Sequence, residues 1–231
     1  LKGQVPMRRG GTADEVAAFI AESRQEGLLE DRAHQLLSGA VSIGTETVEA
    51  VMVPLGVGLE ALRAAIPRLR GAPGRMQVVA DPLRLLLVDY AHTPDALAQV
   101  LHSVRPHVAG RLWVVFGCGG DRDRGKRPLM AEVALQQADQ VILTADNPRS
   151  EAVEAILVDM QAAPSWATAT QAGRGRVQPD RRLAIREAVA AAQPGDAVVV
   201  AGKGHEDYQE VDGVRHWFDD VVELEQAARL Q

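Results

Sequence analysis

From residue 83 onward the chain alternates short apolar runs with amphipathic stretches. Residues 83–88, interrupted only by Arg84, read as a strand, and residues 94–104 read as a helix with Leu97, Val100, Leu101 and Val104 on its inner face. The rhythm repeats. Strand 112–116 precedes helix 128–138, and strand 141–144 precedes helix 151–160. Residues 163–179 read as a loop or weak strand, residues 180–192 as a helix capped by Asp180, and residues 197–201 as the last core strand. Strands so uniformly apolar are covered on both faces, which predicts an α/β fold with a mainly parallel sheet and helices on either side.

The earlier part has a different pattern. Thr12 and Glu15 form a capping pair ahead of a helix over 12–29, residues 33–53 are mixed, and residues 58–69 read as a helix with Leu59, Leu62, Ala65, Ile66 and Leu69 on one face. Gly71-Ala72-Pro73-Gly74 then breaks the periodicity and predicts a domain boundary, giving a mostly helical segment 1–70 and an α/β domain 71–231.

Four polar clusters follow the apolar runs: residues 88–95, 117–127, 144–151 and 201–209. Loops at the carboxyl ends of parallel strands are where such sheets hold ligands, so the four are expected to gather at one sheet edge. Overall charge limits the ligand classes. A net charge of −6 and a pI near 5.5 argue against wholesale binding to nucleic acid or an anionic membrane, and any anion site must be local. No apolar run approaches the roughly 20 residues of a membrane span, and no signal-peptide pattern opens the chain, so the cytoplasm is the expected compartment. The single cysteine, Cys118, excludes an internal disulfide and reads as a small buried residue at a strand end.

Gly120 to Lys126 has the spacing of a phosphate loop, but Arg127 stands where Ser or Thr would hold magnesium, and Asp121 and Asp123 would face phosphates. The dinucleotide fingerprint fails too, because Arg122 replaces its third glycine. Arg122, Arg124, Lys126 and Arg127 outnumber the two acids, so the loop favours an anion, although a solvated turn of internally paired charges fits the same residues. In Asp146-Asn147-Pro148-Arg149 the acid suits an ammonium and the arginine a carboxylate, a combination fit for an amino acid, or else for an ordinary turn. Gly202-Lys203-Gly204-His205-Glu206 allows close backbone approach and carries both signs of charge; no histidine spacing there marks a metal site. Asp89 suits a ribose, Tyr90 a base, and Thr93 an N-cap for the helix at Pro94.

Val88 to Leu97, Phe116 to Met130, Asp146 to Arg149 and Ala201 to Gln209, in this order, resemble the motifs of the Mur ligases, more narrowly those members that add the third residue of the peptidoglycan peptide. The resemblance runs from about Gly58 to the C-terminus. It implies a Rossmann-like amino-acid-binding domain preceded by a remnant of a central ATPase domain. The implied reaction is phosphorylation by ATP, with Mg2+, of the D-glutamate carboxylate of UDP-N-acetylmuramoyl-L-alanyl-D-glutamate, and attack of an amine on the acyl phosphate. By motif, Arg122, Asp146, Asn147, Arg149, Gly202 and Glu206 would bind the amino acid. Arg75 and Asp89 would contact ATP across a domain interface, with Tyr90 and His92 nearby. The Asp-Asn-Pro-Arg form is the one seen where that amino acid is meso-diaminopimelate, whose second carboxylate gives Arg149 a bidentate partner that lysine lacks. A monomer is expected.

The departures bear on completeness. No G-x-x-G-K-[ST] loop occurs, residues 1–57 do not follow the family pattern, the ATPase domain's acidic magnesium ligands are absent, and Gln77 stands where the family usually carries Glu. The chain begins at Leu1, so a fragment that is inactive alone is expected, with no catalytic residue of its own and no metal ligands. A stand-alone binding module for an amino acid or muropeptide, and a nucleotide-dependent enzyme using a degenerate loop at 120–126, are the other readings.

Overall fold

Six strands form one sheet in the order β1-β2-β6-β3-β4-β5 in the structure, a computed structural model that describes Glu60 and residues 71–230. The chain divides after Arg70 into two units, the second of which runs from Gly71 to Gln231. The expected helices 12–29 and 58–69 and the mixed stretch 33–53 lie outside the described residues, apart from Glu60, which is helical.

β1 (Gln77–Val79) runs antiparallel to β2 (Leu85–Asp89), while β2, β6 (Ala197–Ala201), β3 (Leu112–Phe116), β4 (Gln140–Leu143) and β5 (Gly175–Val177) are parallel. Their apolar runs are divided by the two-residue period of a strand between two cores. Leu86, Val88, Trp113, Val115, Val198 and Val200 pack with one cluster of helix residues, whereas Leu87, Val114, Phe116 and Val199 pack with another. The second layer is built from α1 (Pro94–Val104), α2 (Lys126–Gln137), α3 (Val153–Gln161) and the short α4 (Trp166–Gln171). The first is built from α5 (Arg181–Ala191) and α6 (Asp220–Arg229). Each fully buried Val or Leu contributes about 1.5–3 kcal/mol, so both faces are needed to hold the sheet.

The connections decide where a site can form. After β2 the chain crosses to β3, and the slot between them is filled later by β6, reached through α5 on the opposite face. The loops leaving β2, β6, β3 and β4 therefore end side by side at a topological switch point. Thr93 caps α1 by accepting from Ala96 N at 3.2 Å, and Asp180 caps α5 by accepting from Leu183 N at 3.0 Å.

Several elements differ from the pattern-based expectation. Within residues 163–179 the expected weak strand is present as β5, but α4 precedes it, because Trp166 and Ala169 insert into the core from a helix too short to show a period. α2 starts at Lys126, not Pro128, since proline is tolerated in a first turn. β1, α6 and a polar hairpin of β7 (Tyr208–Val211) and β8 (Val214–Trp217) add to the predicted set.

Candidate functional site

All four polar clusters meet in one cleft of about 470 Å3. Tyr90 and His92 come from the loop after β2, Arg122 from that after β3, Asp146, Asn147 and Arg149 from that after β4, and Gly202 and Glu206 from that after β6. Eight of the predicted site residues thus share a wall, and Tyr208 of the hairpin joins them. Arg75 and Asp89 do not line it. Arg75 lies over the Tyr90 ring, 5.3 Å from its centroid. Asp89 is buried, and its carboxylate accepts from Met76 N at 2.7 Å and Ala91 N at 2.8 Å, which shapes the turn presenting Tyr90 and His92.

The floor of the cleft is a network of charges. Asn147 Nδ2 donates to Glu206 Oε2 at 2.7 Å, and Asn147 Oδ1 accepts from Lys203 Nζ at 3.1 Å and from Glu210 N at 2.9 Å. Lys203 Nζ also lies 3.4 Å from Glu206 Oε2 and 3.9 Å from Asp146 Oδ1. Burial pushes the Asp146 carboxyl above its ordinary range, with Arg181 and then Lys203 pulling it partway back. Burial likewise pushes the Lys203 ammonium down, opposed by Asp146. Gly202, at φ +115°, occupies a conformation few side chains adopt, and a Cβ there would lie 2.8 Å from Asp146 Oδ2.

The same cleft carries two arginines. Arg149 has φ +53°, its N–H donates to Glu210 O at 3.0 Å, and its Nη1 donates to Gly120 O at 2.8 Å. Arg122 is exposed, and among the described residues its side chain makes one hydrogen bond, to Asp121 O at 3.1 Å. The anion-binding capacity expected of the loop's four cations is reduced by the structure. Arg127 is fully buried, bound to Glu151 at 2.7 Å and Asp159 at 2.8 Å; Arg124 also binds Asp159, at 3.0 Å. Lys126 Nζ donates to His92 O at 2.7 Å. Carboxylates of the neighbouring helix and loop absorb Arg124 and Arg127, leaving Arg122 and Arg149 as the carboxylate or phosphate forks of the cleft.

The same geometry argues against a phosphate cradle at 120–126. Three of its seven amides are already used: Gly120 N donates to Asn147 O at 2.9 Å, Asp121 N to Glu151 Oε1 at 2.7 Å, and Gly125 N to Asp123 Oδ1 at 2.8 Å. Cys118 is buried against Met130, and burial raises its thiol to about 12, so it is a packing residue. Among the described residues no group of three or more His, Cys, Asp or Glu is placed to hold a metal ion, and no helix is long and apolar enough to cross a membrane.

One residue behind the cleft escaped sequence reasoning. Arg181 looks like a solvated helix charge, yet it is buried and donates to Ala145 O at 3.1 Å and Ala201 O at 3.0 Å, the residues just before Asp146 and Gly202. Its helical spacing gave no sign of this; its ion-pair partner, Asp220, comes 39 positions later.

Fold and cleft together define a Rossmann-like α/β domain with a mixed-charge cleft at the carboxyl ends of its strands. Residues 74–204 match the model of the Mur ligase, glutamate ligase domain family, and the chain belongs to that family. A Pseudomonas aeruginosa protein named UDP-N-acetylmuramoyl-L-alanyl-D-glutamate--2,6-diaminopimelate ligase is 49% identical over 215 residues, 92% of this chain and 42% of the relative. A Synechococcus elongatus protein of the same name is 49% identical over 170 residues, 72% of this chain and 33% of its own. A solved structure of that name superposes with a TM-score of 0.65 at 50% identity, covering 85% of this chain and 38% of the other. The chain thus spans about two fifths of the P. aeruginosa relative.

Proposed function

We propose that this chain is the amino-acid-binding part of an ATP-dependent ligase that joins meso-diaminopimelate to UDP-N-acetylmuramoyl-L-alanyl-D-glutamate in peptidoglycan synthesis. The observation that carries this reading is the pairing, in one cleft, of an acidic floor with two arginine forks, Arg122 and Arg149. A diamino dicarboxylate presents both signs at both ends and needs such a site. The family resemblance and the names of its relatives point the same way.

In the proposed reaction ATP phosphorylates the D-glutamate carboxylate, and an amine of the amino acid then attacks the acyl carbon. The C–N bond forms and phosphate leaves; the ammonium gives up one proton before attack and a second after it, keeping the amide N–H. This chain's residues contribute the positioning of that amine. Glu206 and Asp146 receive an ammonium, Arg149 and Arg122 grip carboxylates, and Gly202 keeps the backbone close. Asn147 holds Glu206 in place. Arg75, Asp89, Tyr90 and His92 form a second group, assigned to ATP: the Tyr90 ring lies tilted against those of His92 and His205, with centroids 4.7 Å and 5.4 Å away, offering an aromatic surface beside the Arg75 cation. Magnesium accompanies ATP and is assigned no ligand in this unit. A cytoplasmic monomer fits the reading.

The test is substitution of Arg149 in the ligase that carries this chain. Arg149→Ala is expected to abolish use of meso-diaminopimelate, and unchanged kinetics would remove the assignment.

A further inference from the structure

Lys203 is completely buried and does not line the cleft, yet its ammonium touches three of the residues that floor it. A lysine in that position needs compensation from every side. Asn147 Oδ1, Glu206 Oε2 and Asp146 Oδ1 supply it, and the Tyr208 ring closes the remaining approach, 5.4 Å from Nζ to its centroid.

The arrangement fixes the Asn147 amide. Oδ1 already accepts from Lys203 Nζ and Glu210 N, so Nδ2 is left to meet Glu206. A flipped amide would set Nδ2 against an ammonium and a backbone N–H, and Oδ1 against a carboxylate, which is unfavourable at all three contacts. Lys203 and Asn147 therefore converge on one oxygen of Glu206, Oε2, while Oε1 has no partner among the described residues. In charge, Asp146 and Glu206 against Lys203 leave one negative charge, the complement of a single ammonium. Arg181 and Asp220 behind them are paired with each other.

We propose that Lys203 is a positioning residue for amino-acid recognition, which through Asn147 holds Glu206 with Oε1 free for a substrate ammonium. This rests on the reading of the cleft as an amino-acid site.

Asn147 is the chain's only asparagine, so its side-chain amide gives a single resonance pair in the asparagine-labelled 231-residue protein. Slow proton exchange of that pair is expected in the unsubstituted chain and faster exchange in Lys203→Met; fast exchange in the unsubstituted chain overturns the proposal whatever the variants do. Calorimetry with meso-diaminopimelate supplies a double-mutant cycle. Lys203→Met and Glu206→Gln are each expected to weaken binding roughly tenfold to a hundredfold, and the double variant to bind no more weakly than the weaker single one. Additive losses, or no loss in Lys203→Met, overturn the positioning role while leaving the amino-acid site in place. No binding by the unsubstituted chain removes the site itself, and the proposal with it. Near-ultraviolet dichroism of Trp113 and Trp166 reports whether each variant keeps both cores, with Lys203→Gln, which retains a donor, standing in if Lys203→Met unfolds.

Discussion

Arg181 and Asp220 form an ion pair at 2.7 Å with both side chains wholly buried, and the same guanidinium holds the ends of β4 and β6 through Ala145 O and Ala201 O. Opposed by its own burial but outweighed by Asp220, the guanidinium stays firmly charged, raised above its ordinary value. Removing one partner strands a charge in the core, so Asp220→Ala is expected to cost about 3–5 kcal/mol. Urea unfolding of the chain checks this, as a lowered midpoint at unchanged slope. A loss below about 1 kcal/mol would mean the pair behaves as a surface contact and does not tie the strands.

Glu151 gives the fold a specific acid sensitivity. The Arg127 guanidinium, and next the Asp121 N–H, hold its carboxyl down from the ordinary 4.5 to about 2. Between those values the unfolded chain binds more protons than the native one, so this contribution is complete above pH 4.5 and is lost as pH falls toward 2. Glu151→Gln should flatten that part of the stability curve. Identical pH dependence in both proteins, measured by denaturant unfolding across the window, would contradict the role given to Arg127.

Gly120 allows two loops to touch. A Cβ there would run into Pro148 O and come within 3.3 Å of Glu151 Cβ, so Gly120→Ala must push the loop carrying Asp146, Asn147 and Arg149 away from the loop carrying Arg122. The expected outcome is a stability loss of about 1–3 kcal/mol together with weakened amino-acid binding, measured by thermal unfolding and calorimetry on one preparation. Full binding in a destabilised variant would show that the register of the two loops is not critical to the site.

Much of this was legible in the sequence because the core strands are short and wholly apolar, and because each site cluster directly follows one of them. Pattern reading found β2, β3, β4 and β6, and eight of its ten site residues line one cleft. It missed elements whose burial has no period: β7 and β8 are half-buried or exposed along their whole length, and only Asp212-Gly213, with φ +49° and +76°, signals their turn. Asp219, which caps α6 by accepting from Val221 N at 2.8 Å, was a second readable signal. Buried charges were the harder failure. Arg127 and Arg181 look like solvated side chains in a local window, because their counter-charges Glu151 and Asp220 arrive from distant segments; Lys203 has Glu206 three residues on, but its burial depends also on Asp146 and Asn147 from the loop after β4.

The most direct test of the central claim is calorimetric titration of the 231-residue chain with meso-diaminopimelate and, separately, with L-lysine. Saturable binding of meso-diaminopimelate, in clear preference to lysine and lost in Arg149→Ala, is the predicted result. Equal or tighter binding of lysine, or binding of meso-diaminopimelate that survives Arg149→Ala, would contradict it.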